Sequence, residues 1–177
     1  MQNQKYHISA RIIHWTMSVI IIGLLMMGFY MTNLLGAQSS NKMFIYNLHK
    51  SFGALVLFLV VVRIFIRLSK PIPPLPNSIH MVIKKLAHST HLLLYVLMIL
   101  MPLSGYLMSS YFGYPVHLFG IPLPMLVEKN VDLGKFFGEA HKFLGLSFVA
   151  LLSLHIGGAM KHRFFDKKEN DVLKRMI

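Results

Sequence analysis

FGEAHKFLGLSFVALLSLHIGGAMKHR, residues Phe137–Arg163, decides the fold class. Between Lys142 and Lys161 it carries no charged residue, and Leu, Val, Phe, Ile and Met supply most of the run. A helix that crosses a bilayer needs roughly 20 predominantly apolar residues. The same reading applies between Arg11 and Lys42 and between Lys85 and Glu128, where charge is again absent. Of the 177 residues, 55% are hydrophobic and 14% charged, against about 45–50% and about 25% in soluble domains. The 18 Lys/Arg and 6 Asp/Glu leave a net charge of +12. In a soluble domain that balance points to nucleic acid. Here the charges sit in clusters between long apolar runs, so the chain reads as an integral membrane protein with no nucleic-acid partner.

Four helices are expected, over about 12–34, 45–68, 85–109 and 137–163, forming one transmembrane all-α four-helix bundle over residues 1–177. The first ends at Gly36 and the polar turn Ala37–Asn41. The second stops at Pro71-Ile72-Pro73-Pro74-Leu75-Pro76, which cannot continue a helix. Pro102 and Gly105 predict a kink in the third. The segment from Tyr111 to Gly134 is apolar but interrupted by Gly113, Pro115, Gly120, Pro122 and Pro124, and reads as a short interfacial piece over the bundle mouth. The apolar stretch after Arg11 is too long for a cleavable signal and lacks a small-residue cleavage pattern, so it is expected to remain as the first span. With the N-terminus inside, 13 of the 18 Lys/Arg fall on the cytoplasmic side and Lys42, Lys50, Lys129, Lys135 and Lys142 outside. That bias places both termini in the cytoplasm.

The ten histidines carry the chemistry. A histidine within a span is costly unless it has a purpose. His141 and His155 are 14 residues apart on one helix, which is roughly 21 Å along the axis and within about 40° of one face. His14, at the cytoplasmic start of the first helix, matches the depth of His155, and His49, at the outer start of the second, matches His141. Two pairs at two depths are what two stacked bis-histidine haems need, because imidazole is a good axial ligand and bundles hold cofactors between facing helices. His49 and His141 both sit in H-K-x-x-G, with the glycine on the ligand's own face. His14 has Ser18, and His155 has Ala159, at the same offset. Lys50 and Lys142 are candidate contacts for outer propionates, and Arg11, Arg63 or Arg67 for inner ones. His88 and His91 start the third helix at the depth of His14 and are alternatives to it, or contacts for a propionate, quinone or water. His162 lies beyond His155 at the surface, as an interface residue or part of a quinone headgroup site. Trp15, beside His14, is an interface anchor or a haem or quinone contact. His7, His80 and His117 read as solvated loop residues. With no cysteine, disulfides, Cys-ligated metal and covalent haem attachment are excluded.

R-I-I-H-W in the first helix, H-K-S-F-G with R-I-F-I-R and the P-x-P-P-x-P exit in the second, H-x-x-L-L-Y with P-L-S-G in the third, and H-K-F-L-G with L-H-I-G-G-A-M-K-H in the fourth resemble the bacterial cytochrome b561 family. The resemblance covers essentially the whole chain, and its stand-alone four-helix members include superoxide oxidases. It implies two non-covalent b haems on His14, His49, His141 and His155, a ubiquinone partner and the inner membrane. It also implies a direction, from superoxide at the outer face through the haems to ubiquinone. A haem b subunit serving a partner dehydrogenase is the alternative, and a proton-relaying transporter a third class. A redox protein partner or a homodimer stays open.

Overall fold

The computed structural model describes residues 5–36 and 38–177, so Ala37 of the expected turn lies outside the described residues. Four helices dominate it: α1 (Ile8–Asn33), α2 (Lys42–Ser69), α3 (Met81–Tyr111) and α4 (Val131–Phe164). All four are long and apolar enough to cross a membrane, which makes the protein an all-α membrane bundle. Far more large apolar side chains are exposed than are buried, as lipid contact requires.

Each helix begins earlier than the apolar pattern alone indicates, and caps account for three of the extensions. The Asn130 side chain accepts hydrogen bonds from the backbone N–H groups of Asp132 and Leu133, at 3.1 and 3.0 Å, and Asp132 adds negative charge to the first turn. Both favour a helix start there. His7 and His80, expected as loop histidines, are exposed N-caps whose Nδ1 atoms accept from Ser9 and Val82. Helix α3 runs through Pro102 without a break.

The α3–α4 connection contains a two-stranded hairpin, β1 (His117–Leu118) and β2 (Ile121–Pro122). Its turn residues Phe119 and Gly120 both have positive φ, 49° and 95°, as a primed two-residue hairpin turn requires. The hairpin is clamped to α2 by Ser51, whose hydroxyl donates to the His117 carbonyl at 2.7 Å and accepts from Phe119 N–H at 3.3 Å. The expected interfacial piece is therefore a cover fastened over one end of the bundle.

The other end carries residues 165–177, which fold back rather than trail away. Asn170, Asp171 and Arg175 are each only 4% exposed, unusual burial for polar side chains so near a terminus. Arg175 donates to the carbonyls of Pro73 and Pro74, and its guanidinium lies 5.7 Å from the Tyr6 ring centre. Ser78 donates to Asn170, Arg163 pairs with Asp171, and Tyr6 N–H donates to the Arg175 carbonyl.

Helices pack in chain order, α1 on α2, α2 on α3 and α3 on α4, whereas α1 and α2 do not pack closely on α4. The core lies mid-bundle, around Met17, Ile21, Val56, Val60, Leu94, Leu97, Met98 and Phe148. The space left between α4 and the first two helices is where the histidines meet.

Candidate haem-binding site

The histidines gather at two levels. At the level nearer the termini, here the inner level, His14 of α1 faces His155 of α4 with ring centres 6.2 Å apart and planes at 81°. At the outer level, nearer the hairpin, His49 of α2 faces His141 of α4 at 6.3 Å and 81°. A metal–imidazole bond is ~2.0–2.1 Å and a ring centre lies ~1.1 Å behind its nitrogen, so imidazoles on opposite sides of one metal stand ~6.2 Å apart. Both pairs meet that spacing. His91 of α3 stands 5.1 Å from His155, too close for a metal between opposed rings. It is a third imidazole packed against His155 of the inner pair.

The outer pair shows which nitrogen is free. His141 Nδ1 lies 3.0 Å from the Met101 carbonyl oxygen and 3.0 Å from Ser104 Oγ. A carbonyl only accepts, so Nδ1 carries the hydrogen and Nε2 keeps its lone pair for a metal. The Ser104 hydroxyl in turn donates to Met101 O at 2.8 Å. Gly105 completes the recess, since a Cβ there would come within 2.8 Å of His141 Cε1. His49 has no such cradle: its Nδ1 is buried with no partner among the described residues.

The two H-K-x-x-G glycines differ in use. Gly53 borders the outer gap with open space where a Cβ would stand, whereas Gly145 meets Met101 Cε at 3.2 Å and serves α3–α4 packing. Ser18 and Ala159, the small residues beside His14 and His155, line the inner space.

The inner space is a cavity of about 410 Å³ bordered by His14, His88, His91, His155 and His162, within the range of sites for drug-sized ligands and cofactors. The outer gap is about 60 Å³, room for the centre of a ring and not the whole of it. Ile21, Met98 and Phe148 line both spaces and form an apolar partition. Phe148 lies seven residues from each α4 histidine, so the partition sits midway between the levels. The donor set, the spacing at both levels and the inner volume fit haem held by imidazole pairs.

The remaining candidates separate by position. Arg63 and Arg67 border the inner cavity, and Arg63 Nε donates to Tyr95 OH at 3.1 Å. Arg11 lies outside its lining, with Nε buried and unpartnered among the described residues. Lys50 places its amine 5.6 Å from the Tyr114 ring centre, and Lys142 is exposed and borders neither space. His88 donates through Nδ1 to the Lys84 carbonyl at 2.7 Å. His162 is buried, with Nδ1 2.8 Å from Asp166 Oδ2. The Trp15 ring lies 5.2 Å from the His14 ring, while its Nε1–H donates to the Met176 carbonyl at 2.8 Å. Reading the sequence missed two things: the docked 165–177 segment, which gives Val172, Leu173, Arg175 and Met176 to the cavity wall, and the Met101–Ser104–Gly105 cradle. P-L-S-G was the available signal for the second.

Prokaryotic cytochrome b561 is the family whose sequence profile matches residues 5–177. The chain belongs to the prokaryotic cytochrome b561 family. Two relatives are similar along nearly their whole length. Cytochrome b561 homolog 2 of Escherichia coli (strain K12) is 33% identical over 179 residues, covering 98% of this chain and 92% of that one. Probable superoxide oxidase CybB of Yersinia pestis is 28% identical over 178 residues, covering 98% and 97%. As a prokaryotic b561 cytochrome, the protein is a multi-pass bacterial membrane protein of an oxidoreductase-type, electron-transferring family that uses b-type haem. With no cysteine in the sequence, that haem is held without thioether links.

Proposed function

We propose that this cytochrome holds two b haems and passes electrons from superoxide at the periplasmic face to ubiquinone, as a superoxide:ubiquinone oxidoreductase of the bacterial inner membrane. The observation that carries the reading is the repeated ring spacing, 6.2 Å at the inner level and 6.3 Å at the outer, on histidine pairs joined by one helix. His14 and His155 would hold the inner haem, and His49 and His141 the outer one. Bound haem supplies the redox chemistry, and the protein supplies orientation and potential. Both termini face the cytoplasm, and residues 1–177 act as one transmembrane unit.

Each superoxide gives up one electron at the outer level and leaves as dioxygen. Two such electrons and two protons convert one ubiquinone to ubiquinol at the inner level. Lys50 and Lys142 lie on the outer side, where they attract an anion and outer propionates. Arg63, Arg67 and Arg11 are the inner basic groups. His88, His162 and Trp15 are the polar and aromatic contacts for quinone or inner haem. The 28% identity to a protein named a probable superoxide oxidase supports the donor. The 33% identical relative has a name that gives only the family, and a haem subunit between a partner dehydrogenase and quinone would use the same histidine pairs. A superoxide pulse followed by stopped-flow spectroscopy separates the two readings. Rapid haem reduction, reversed by added ubiquinone, is expected; haem that stays oxidised through the pulse rules out the superoxide reading.

A further inference from the structure

The P-L-S-G stretch of α3 has no part in the function proposed above, yet three of its neighbouring groups converge on one ring. Met101 O and Ser104 Oγ both lie 3.0 Å from His141 Nδ1, Ser104 also donates to Met101 O, and Gly105 leaves the recess that the ring occupies. Nδ1–H is therefore shared between two acceptors. Among the described residues no hydrogen bond reaches the ring nitrogens of His14 or His155, and His49 Nδ1 is unpartnered. Of four histidines paired across the bundle, one is wired into the protein.

Hydrogen bonds from the free nitrogen of a ligating histidine fix its tautomer and orientation and make it a stronger donor. A stronger donor favours ferric over ferrous iron, and second-shell hydrogen bonding is one of the levers on haem potential. We propose that Ser104 is a positioning residue, acting with the Met101 carbonyl through His141 to lower the outer haem's midpoint potential relative to a ligand pair lacking these bonds. This rests on the assignment of His141 as a ligand. A lower outer potential favours passing an electron from the outer site to the inner one.

The test is a redox titration of the purified haem-loaded protein, followed in the visible spectrum. His141→Ala comes first, because the haem it loses identifies the outer haem's spectrum and titration step. If that variant keeps full haem content, the ligand assignment fails and the Ser104 proposal goes with it. If it loses one haem, Ser104→Ala should raise the outer potential, shifting the ferric-to-ferrous balance there about threefold to tenfold, where tenfold is 59 mV for one electron. The inner potential should not move. Ser104→Thr, which keeps a hydroxyl, should titrate like the wild type. An unchanged outer potential in Ser104→Ala overturns the proposal, as does a Ser104→Thr variant shifted as far as the alanine. Should Ser104→Ala assemble no outer haem, retention by Ser104→Thr supports a hydroxyl role, and loss in both overturns it.

Discussion

The two histidine levels have the same ring geometry and opposite surroundings. At the inner level the pair borders a cavity of about 410 Å³, with a third imidazole at 5.1 Å, the Arg63 and Arg67 side chains, and a docked C-terminal segment as its floor. At the outer level the gap is about 60 Å³ and its lining is apolar apart from the two imidazoles, one of which is held by a polar cradle from α3. The spacing comes from α4, whose two inward histidines are 14 residues apart, and the surroundings come from the other helices. The paired-ring geometry is thus shared, whereas the surroundings are set level by level.

The largest effects should come from the proposed ligands. His141→Ala and His155→Ala are each expected to remove one of two haems, read as haem per chain from the pyridine haemochrome. His91→Ala should keep both, because its distance to His155 does not suit opposed ligation. Loss of a haem in His91→Ala with retention in His14→Ala would reverse the inner pairing.

A glycine pair probes the cradle next. An alanine at Gly105 would put Cβ 2.8 Å from His141 Cε1, whereas at Gly28 the corresponding distance to His49 Cε1 is 3.8 Å, an ordinary contact. Gly105→Ala should cost most of the outer haem and leave the inner one, while Gly28→Ala should bind both. Equal haem content in the two variants would mean that the outer ring is free to shift.

Much of this difference between levels was out of reach of sequence reading, for physical reasons. Apolar length and charge-free runs marked the four spans, and the 14-residue interval put His141 and His155 on one face, because both signals are periodic and local. The helix starts were less legible: His7 and His80 cap their helices with imidazole nitrogens, which the usual Ser/Thr/Asn/Asp cap pattern passes over. His91 and His14 share a depth, and only their distances to His155 tell them apart. The docking of residues 165–177 is hidden in the sequence because its contacts join residues about a hundred positions apart, as between Arg175 and Pro74. No periodicity reports such a contact.

The floor of the inner cavity makes a smaller prediction. Arg175→Ala removes a buried guanidinium that donates to two proline carbonyls, and hydrogen bonds to charged groups contribute about 1.5–3 kcal/mol. The loss should appear as local release of residues 165–177 rather than unfolding of the bundle. Trp15 is the sole tryptophan and donates to Met176, so its emission reports docking directly. A red shift with both haems retained is expected. Unchanged emission would place the anchor elsewhere in the segment.

The smallest effect concerns pH at the same floor. Asp166 is held well below the ordinary aspartate range, first by the Asn170 side-chain amide, then by Lys167 N–H and by His162. A carboxylate whose pKa is lower folded than unfolded stabilises the folded form above its unfolded value, ~3.9, and that contribution is lost only as pH falls through the folded value. Its share of tail docking should therefore be constant across neutral pH and fade only in strong acid. Asp166→Asn should weaken docking modestly at pH 7 and reduce the acid sensitivity of Trp15 emission, while the outer haem spectrum stays fixed. An acid transition of the same size in Asp166→Asn would assign it to another carboxylate, with Asp171, paired to Arg163, the neighbour to test. Either result keeps the effect at the inner level, since the outer cradle consists of a carbonyl, a hydroxyl and a glycine recess and holds no carboxylate to protonate.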